Sequence, residues 1–196
     1  MFAHVWQDLV ARWMPGDPFQ PTDAIRVYYE TKFNIARRLQ PGRILEIGVR
    51  AGYSAFVFMC DAPRGVRYLG IDNGLCDAEA RRDYLAHAER MLQEYDARIW
   101  RTNSFGLLAF PAGPDGDAWD LVHVDGDHSF DGCFHDIMCA ARVARNILVD
   151  DYETGEEIRR ACAQFLQTFG RGTWSSEVIP DGGVAGNMLL TKIGKP

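Results

Sequence analysis

Apolar residues follow two spacings along this chain, and the two alternate with few interruptions. Residues 1–14 and 23–39 have a helical spacing, and a Pro-Gly-Asp-Pro segment at 15–18 separates them. From residue 43 on, short apolar runs alternate with further helical stretches. The runs predict strands at 43–49, 68–72, 97–101, 119–125, 146–150, 176–179 and 187–193. The other stretches predict helices at 52–60, 77–95, 130–144 and from a Thr154–Glu157 capping box to residue 169.

Regular alternation of strands and helices is typical of an α/β fold with a doubly wound sheet. Short and uniformly apolar strands predict a mostly parallel sheet with helices on both faces. The connection between the last two strands is too short for a parallel crossover, so we expect the last strand to be antiparallel. Residues 1–40 are then a helical cover, and residues 41–196 are the sheet domain.

Composition excludes several classes of protein. The chain has 196 residues and a formal net charge of −6, which disfavours binding to a phosphate backbone, so we expect no nucleic-acid partner. No apolar run reaches the ~18 residues that span a bilayer, and the N-terminal stretch lacks a signal-peptide core. We therefore expect no membrane partner and a cytoplasmic location. The five cysteines form no CxxC pair, so neither a zinc site nor a disulfide framework is indicated.

Ligands of such sheets bind at the carboxyl ends of the strands. The first strand ends in a Glu46-x-Gly48-x-x-x-Gly52 pattern, whose glycines permit a tight turn and a close approach to a ligand, or serve only as a packing turn. Asp72 ends the second strand and can accept hydrogen bonds from both hydroxyls of a ribose, or begin a turn. Asn103 and Ser104 follow the third strand and can reach an adenine edge, or cap a loop.

Together these residues resemble the class I S-adenosylmethionine-dependent methyltransferases over nearly the whole chain after Pro41. The segments 45–48 (LEIG) and 52–55 (GYSA) look especially like metal-dependent O-methyltransferases of the catechol and macrocin types. The resemblance implies a Rossmann-like fold and S-adenosylmethionine as cofactor. It further implies that the loop from Glu46 to Gly52 holds the methionine part, that Ser54 binds its carboxylate, that Asp72 holds the ribose, and that Ser104 lies near the adenine.

Carboxylates also follow the fourth and fifth predicted strands. Asp125 ends one strand, and Asp150 and Asp151 end the other, so these tips meet if the strands are neighbours. Three unpaired carboxylates would repel one another, and a hard divalent cation such as Mg²⁺ would relieve that repulsion. Turn and helix capping by aspartate is the alternative.

The resemblance maps the metal ligands of the family onto Asp125, Asp150 and Asp151, with Asp in the last position where related chains often have Asn. It also places Asp125 beside the cofactor and in catalysis. His128 occupies the position of a common lysine base, so it is either the general base or a group that orients Asp125 or Asp127. His123 is interpreted as structural.

The expected function is therefore metal-assisted methyl transfer to a hydroxyl of a small molecule. The alternatives are a protein that binds the cofactor without turnover and an enzyme similar to the cephalosporin hydroxylases. Only 40 residues precede the sheet domain, so the site is either rather open or completed by a second subunit, and a homo-oligomer stays an open expectation. Aromatic residues in this N-terminal part fit core packing, a substrate lid or a dimer contact.

Overall fold

The computed structural model describes residues 1–80 and 82–194, and its centre is a seven-stranded sheet. The strands are β1 (Arg43–Ile47), β2 (Arg67–Asp72), β3 (Asp96–Arg101), β4 (Leu121–Val124), β5 (Asn146–Val149), β6 (Trp174–Ile179) and β7 (Asn187–Lys192). Their order is β3-β2-β1-β4-β5-β7-β6, and β7 alone runs against its neighbours β5 and β6. The predicted α/β, Rossmann-like sheet with an antiparallel last strand is confirmed.

Helices cover both faces of this sheet. They are α1 (Phe2–Ala11), α2 (Asp23–Leu39), α3 (Tyr53–Met59), α4 (Leu75–Ala80), α5 (Tyr84–Met91), α6 (Phe130–Val143) and α7 (Glu156–Phe165). On one face, α1 and α2 pack with α3 in a single apolar core that includes Phe33, Phe58 and Leu148. On the other face, α6 and α7 pack together over Val122 and Ile147. The N-terminal helices therefore share a core with the sheet.

Two helix predictions are wrong. The stretch 77–95 forms two helices instead of one, because the Asp83 side chain accepts a hydrogen bond from the amide of Ala86 and starts α5. Arg81, between the two helices, lies outside the described residues. The predicted Thr154–Glu157 capping box is absent from this described segment, since the Thr154 hydroxyl donates instead to the carbonyl of Asp151 at 3.4 Å.

Across the described ranges 1–80 and 82–194, the helices are all too short or too polar to cross a membrane.

Candidate functional site

A cavity of about 1130 Å³ opens at the carboxyl ends of the parallel strands. Eight of the eleven predicted site residues line it: Gly48, Ser54, Asp72, Asn103, Ser104, Asp125, His128 and Asp151. The other three, Glu46, Gly52 and Asp150, lie behind its wall. Sequence spacing thus placed most of the predicted residues at one cavity, as expected for the strand ends of an α/β sheet.

The loop after β1 approaches the tip of β4 so closely that position 48 needs a glycine. Gly48 has a φ of +86°, and a Cβ atom there would lie 1.9 Å from the carbonyl oxygen of Asp125. Gly52 has a φ of +81°, and its added Cβ would lie 2.9 Å from the Cβ of Ala88 on α5. Gly48 therefore shapes the cavity wall, whereas Gly52 allows α5 to pack against the start of α3.

Asp72 holds the loop after β1 in place. Its Oδ2 accepts hydrogen bonds from the amides of Val49 at 2.8 Å and Arg50 at 2.9 Å, and its Oδ1 accepts one from the amide of Gly74 at 2.7 Å. A carboxylate offers about four acceptor positions, so about one is left, on Oδ1. Asp72 can accordingly accept one further hydrogen bond from a ligand, where the sequence suggested two.

A buried acid lies behind the residues that follow β3. Ser104 donates a hydrogen bond at 3.3 Å to Oδ2 of Asp136, while Asn103 accepts one from the amide of Phe105. Asp136 is 1% exposed, its Oδ1 has no hydrogen-bond partner among the described residues, and burial raises its pKa to about 7. Sequence analysis missed Asp136, although the signal was there: it is an acidic residue on the apolar face of α6, next to Ile137.

Glu46 belongs to a chain of buried polar side chains that runs beneath the cavity. Its carboxylate accepts a hydrogen bond from the Tyr68 hydroxyl and contacts Nδ1 of His123 at 2.8 Å. Nε2 of His123 lies 3.1 Å from Nζ of Lys32. We call this set the buried polar chain; its members are Tyr68, Glu46, His123, Lys32, Asp150 and Tyr28.

Lys32 pairs with Asp150 at the other end of the buried polar chain. Its Nζ lies 2.8 Å from Oδ2 of Asp150, and both side chains are at most 1% exposed. The Tyr28 hydroxyl also donates to this Oδ2. Burial raises the pKa of Asp150, but Lys32 and His123 outweigh that effect and leave the pKa lowered. Within residues 1–80 and 82–194, Oδ1 of Asp150 is buried without a hydrogen-bond partner.

The two other predicted metal ligands share a histidine. Nε2 of His128 lies 3.4 Å from Oδ1 of Asp125 and 3.4 Å from Oδ2 of Asp151. The contact with Asp125 raises the pKa of His128 to about 9 against the opposing effect of burial. Burial, with Asp150 nearby, raises the pKa of Asp125 to about 6. Asp151 has a φ of +54°, in the left-handed region that residues other than glycine rarely adopt.

The carboxylates that could hold a divalent cation are not an unpaired set. The side chains fall into two groups that share Asp125, one with His123 and Asp150 and one with His128 and Asp151. A lysine already pairs with Asp150, and His128 lies between Asp125 and Asp151. A cation bound to all three carboxylates would have to share Asp150 with Lys32, and His128 would become a further ligand or move away.

An anchored N-terminal segment closes the cavity on the side of α2. Asp17 is fully buried, with Oδ1 2.5 Å from Nη2 of Arg50 and Oδ2 accepting a hydrogen bond from the Tyr53 hydroxyl at 2.9 Å. This anchor holds Phe19 at the cavity wall, next to Tyr28 of α2. Sequence analysis missed Asp17, because it took the Pro-Gly-Asp-Pro segment only as a helix break, and it assigned no role to Arg50 in the loop after β1.

The sequence of this chain matches a known family. The model of a family described as a methyltransferase domain matches residues 45–152, more than half of the chain. No curated protein matches the chain in sequence.

Several solved structures share the fold. The O-methyltransferase TomG from Streptomyces achromogenes, in complex with S-adenosylmethionine, has a TM-score of 0.63 at 18% identity over 96% of this chain and 89% of that chain. The methyltransferase PaMTH1 from Podospora anserina, bound to S-adenosylhomocysteine, has a TM-score of 0.69 at 15% identity over 98% and 87%. An O-methyltransferase from Bacillus cereus, in complex with S-adenosylhomocysteine, has a TM-score of 0.60 at 14% identity over 97% and 89%. At these identities the likeness shows a common fold.

Proposed function

Because the chain belongs to this family of methyltransferase domains, we propose that it transfers a methyl group from S-adenosylmethionine to a hydroxyl oxygen of a small molecule. One observation carries the proposal: the glycine loop, Asp72 and the group of Asp125, His128 and Asp151 all face one cavity. Its volume of about 1130 Å³ exceeds the roughly 300–1,000 Å³ typical of a pocket for a single small ligand, which leaves room for a cofactor and an acceptor.

The cavity wall suits the cofactor. The backbone from Gly48 to Ala51 would hold the methionine part, with Ser54 near its carboxylate. Oδ1 of Asp72 would accept a hydrogen bond from one ribose hydroxyl, because its other acceptor positions are taken by backbone amides. Asn103 and Ser104 line the part of the cavity where the adenine would lie.

Asp125, His128 and Asp151 would act on the acceptor. S-adenosylmethionine supplies an electrophilic methyl group on its sulfonium sulfur. Asp125 and His128 are 3.4 Å apart at the cavity wall. Because the pKa of His128 is raised to about 9, an acceptor hydroxyl bound there would release its proton to the carboxylate of Asp125 as its bond to the methyl carbon forms and the bond from that carbon to sulfur breaks. Phe19 and Tyr28 would hold the acceptor in line with the methyl group, and correct alignment accounts for a large part of such a rate enhancement.

Metal-assisted transfer is the second candidate, with Mg²⁺ or another hard divalent cation at Asp125, Asp150 and Asp151. The observation that favours it is the buried Oδ1 of Asp150, which has no hydrogen-bond partner in the described part of the chain. The ion pair of Asp150 with Lys32 and the position of His128 weigh against it. Transfer that uses the side chains of Asp125 and His128 without a metal is therefore the first candidate.

A transfer assay tests the proposed function. The protein is incubated with S-adenosylmethionine and panels of polyphenols, sugars and antibiotics, and mass spectrometry follows both S-adenosylhomocysteine and products that gain one methyl group. We expect a methylated product from the wild type and from the control Asp96→Asn, an exposed aspartate on β3, and much less from Asp72→Asn.

Two outcomes would contradict the proposed function. Binding of the cofactor without product from any acceptor would support the protein that binds without turnover. Conversion of an acceptor without a gain of methyl would support an enzyme similar to the cephalosporin hydroxylases.

A further inference from the structure

Lys32 places a fixed cation beneath the catalytic carboxylates. Its side chain is fully buried, with Nζ 2.8 Å from Asp150, 3.1 Å from Nε2 of His123, 3.5 Å from the side-chain oxygen of Asn187 and 4.4 Å from the centre of the Tyr28 ring. A buried ion pair is tolerated only where further polar contacts satisfy its atoms. Four groups surround this ammonium, so the pair is a built part of the site.

The chain itself supplies a partner for each of the three carboxylates. Nζ of Lys32 lies 2.8 Å from Asp150, and Nε2 of His128 lies 3.4 Å from both Asp125 and Asp151. The carboxylates are therefore not unpaired, which was the premise that argued for a metal ion on sequence alone. Oδ2 of Asp150 contacts both Nζ of Lys32 and the Tyr28 hydroxyl, so Asp150 could bind a metal ion only through Oδ1.

We propose that Lys32 is a positioning residue that holds Asp150 in the place where related sites would use a divalent cation, so that the chain performs methyl transfer without a bound metal. This inference rests on the proposed function. By pairing with Asp150, Lys32 fixes the end of β5, which carries Asp151, and so keeps Asp151 and Asp125 on either side of His128. Loss of the Lys32 charge would leave a group of carboxylates that a hard cation can occupy.

Titration with Mn²⁺ tests this proposal without any acceptor. The loss of the free Mn²⁺ signal in electron paramagnetic resonance reports binding to the wild type, to Lys32→Met and to the control Lys192→Met, which removes an exposed lysine at the end of β7. We expect no stoichiometric site on the wild type or on the control at submillimolar Mn²⁺, and one site on Lys32→Met. A purely structural role for Lys32 would not create a cation site.

Two results would overturn the proposal. One is stoichiometric, submillimolar binding of Mn²⁺ to the wild type that is lost in Asp150→Asn. The other is a folded Lys32→Met protein that gains no site. Because Lys32→Met leaves a buried carboxylate unpaired, its melting temperature is measured as well, and Mn²⁺ should raise it by about 5 °C or more while leaving the wild type unchanged. If Lys32→Met does not fold even with Mn²⁺, the claim that a cation can replace the Lys32 charge is overturned. The titration of the wild type then decides the claim that the natural site binds no metal.

The same proteins separate this proposal from the proposed function. Calorimetric titration with S-adenosylhomocysteine measures cofactor binding independently of Mn²⁺. Absence of cofactor binding would contradict the proposed function, whereas cofactor binding together with a tight Mn²⁺ site on the wild type would overturn only the role of Lys32.

Discussion

Asp136 should make the stability of the protein depend on pH. Burial raises the pKa of this carboxyl from 3.8 to about 7 in the folded state, while an exposed aspartate in the unfolded chain keeps a pKa of about 3.9. Between these values the folded state binds one more proton than the unfolded state. The free energy of unfolding therefore falls as the pH rises from about 4 to about 7, and the contribution of Asp136 is lost across that window.

The size of the effect follows from the shift. Each unit of difference in pKa between the folded and unfolded states corresponds to about 1.4 kcal/mol of free energy of unfolding. The rise in the pKa of Asp136 from about 4 to about 7 therefore amounts to about 4 kcal/mol between pH 4 and pH 8. Asp136→Asn removes the ionisation and keeps a side-chain oxygen for Ser104. Relative to the wild type, the variant should therefore gain up to about 4 kcal/mol of stability as the pH rises from 4.5 to 8.5.

Urea unfolding at several pH values measures this difference. The difference between variant and wild type cancels the titration of all other groups, so it isolates Asp136. The control is Asp131→Asn, which removes an exposed carboxylate in the first turn of the same helix and leaves the buried position 136 unchanged. If the difference in the free energy of unfolding between Asp136→Asn and the wild type stayed constant over this range, the pKa of Asp136 could not be raised by burial.

Two further predictions concern the cavity and the layer beneath it. Asp72→Asn should weaken S-adenosylhomocysteine binding roughly tenfold or more in calorimetry, because an amide cannot accept all three backbone hydrogen bonds; an affinity equal to that of Asp96→Asn would contradict this role. Lys32→Met and Asp150→Asn should each lower the free energy of unfolding by about 3–5 kcal/mol, since each leaves a buried charge unpaired. The double variant should lose much less than the sum in urea unfolding, and additive losses would exclude the coupling.

The order of strands and helices was predictable because each strand is a short apolar run with turn residues at its end. The same runs predicted that Asp72, Asp125 and Asp151 would lie together at the cavity, since the carboxyl ends of parallel strands meet at one edge of the sheet. The position of Glu46 behind the wall was not predictable in this way. Its side chain points away from the cavity toward Tyr68 and His123, and only the register of β1 against its neighbours decides that.

Two of the residues that sequence analysis missed, Lys32 and Asp136, share a recognisable signal. Lys32 lies on the same helical face as the buried Tyr28, Tyr29 and Phe33, and Asp136 lies on the apolar face of α6. A charged residue at such a position must find a buried partner or remain neutral. Which partner it finds depends on contacts between distant segments. Lys32 on α2 and Asp150 after β5, for example, lie far apart along the chain, and a single sequence does not specify that they meet.

Calorimetric titration with S-adenosylhomocysteine tests whether this cavity binds the cofactor. We expect one saturable site per chain on the wild type. Gly48→Ala should lose it, because its Cβ would lie 1.9 Å from the carbonyl oxygen of Asp125, whereas Gly65→Ala, with a φ of +82° and open space around it, should keep it. The absence of saturable binding to the folded wild type, or an unchanged affinity in Gly48→Ala, would contradict the assignment of this cavity to the cofactor.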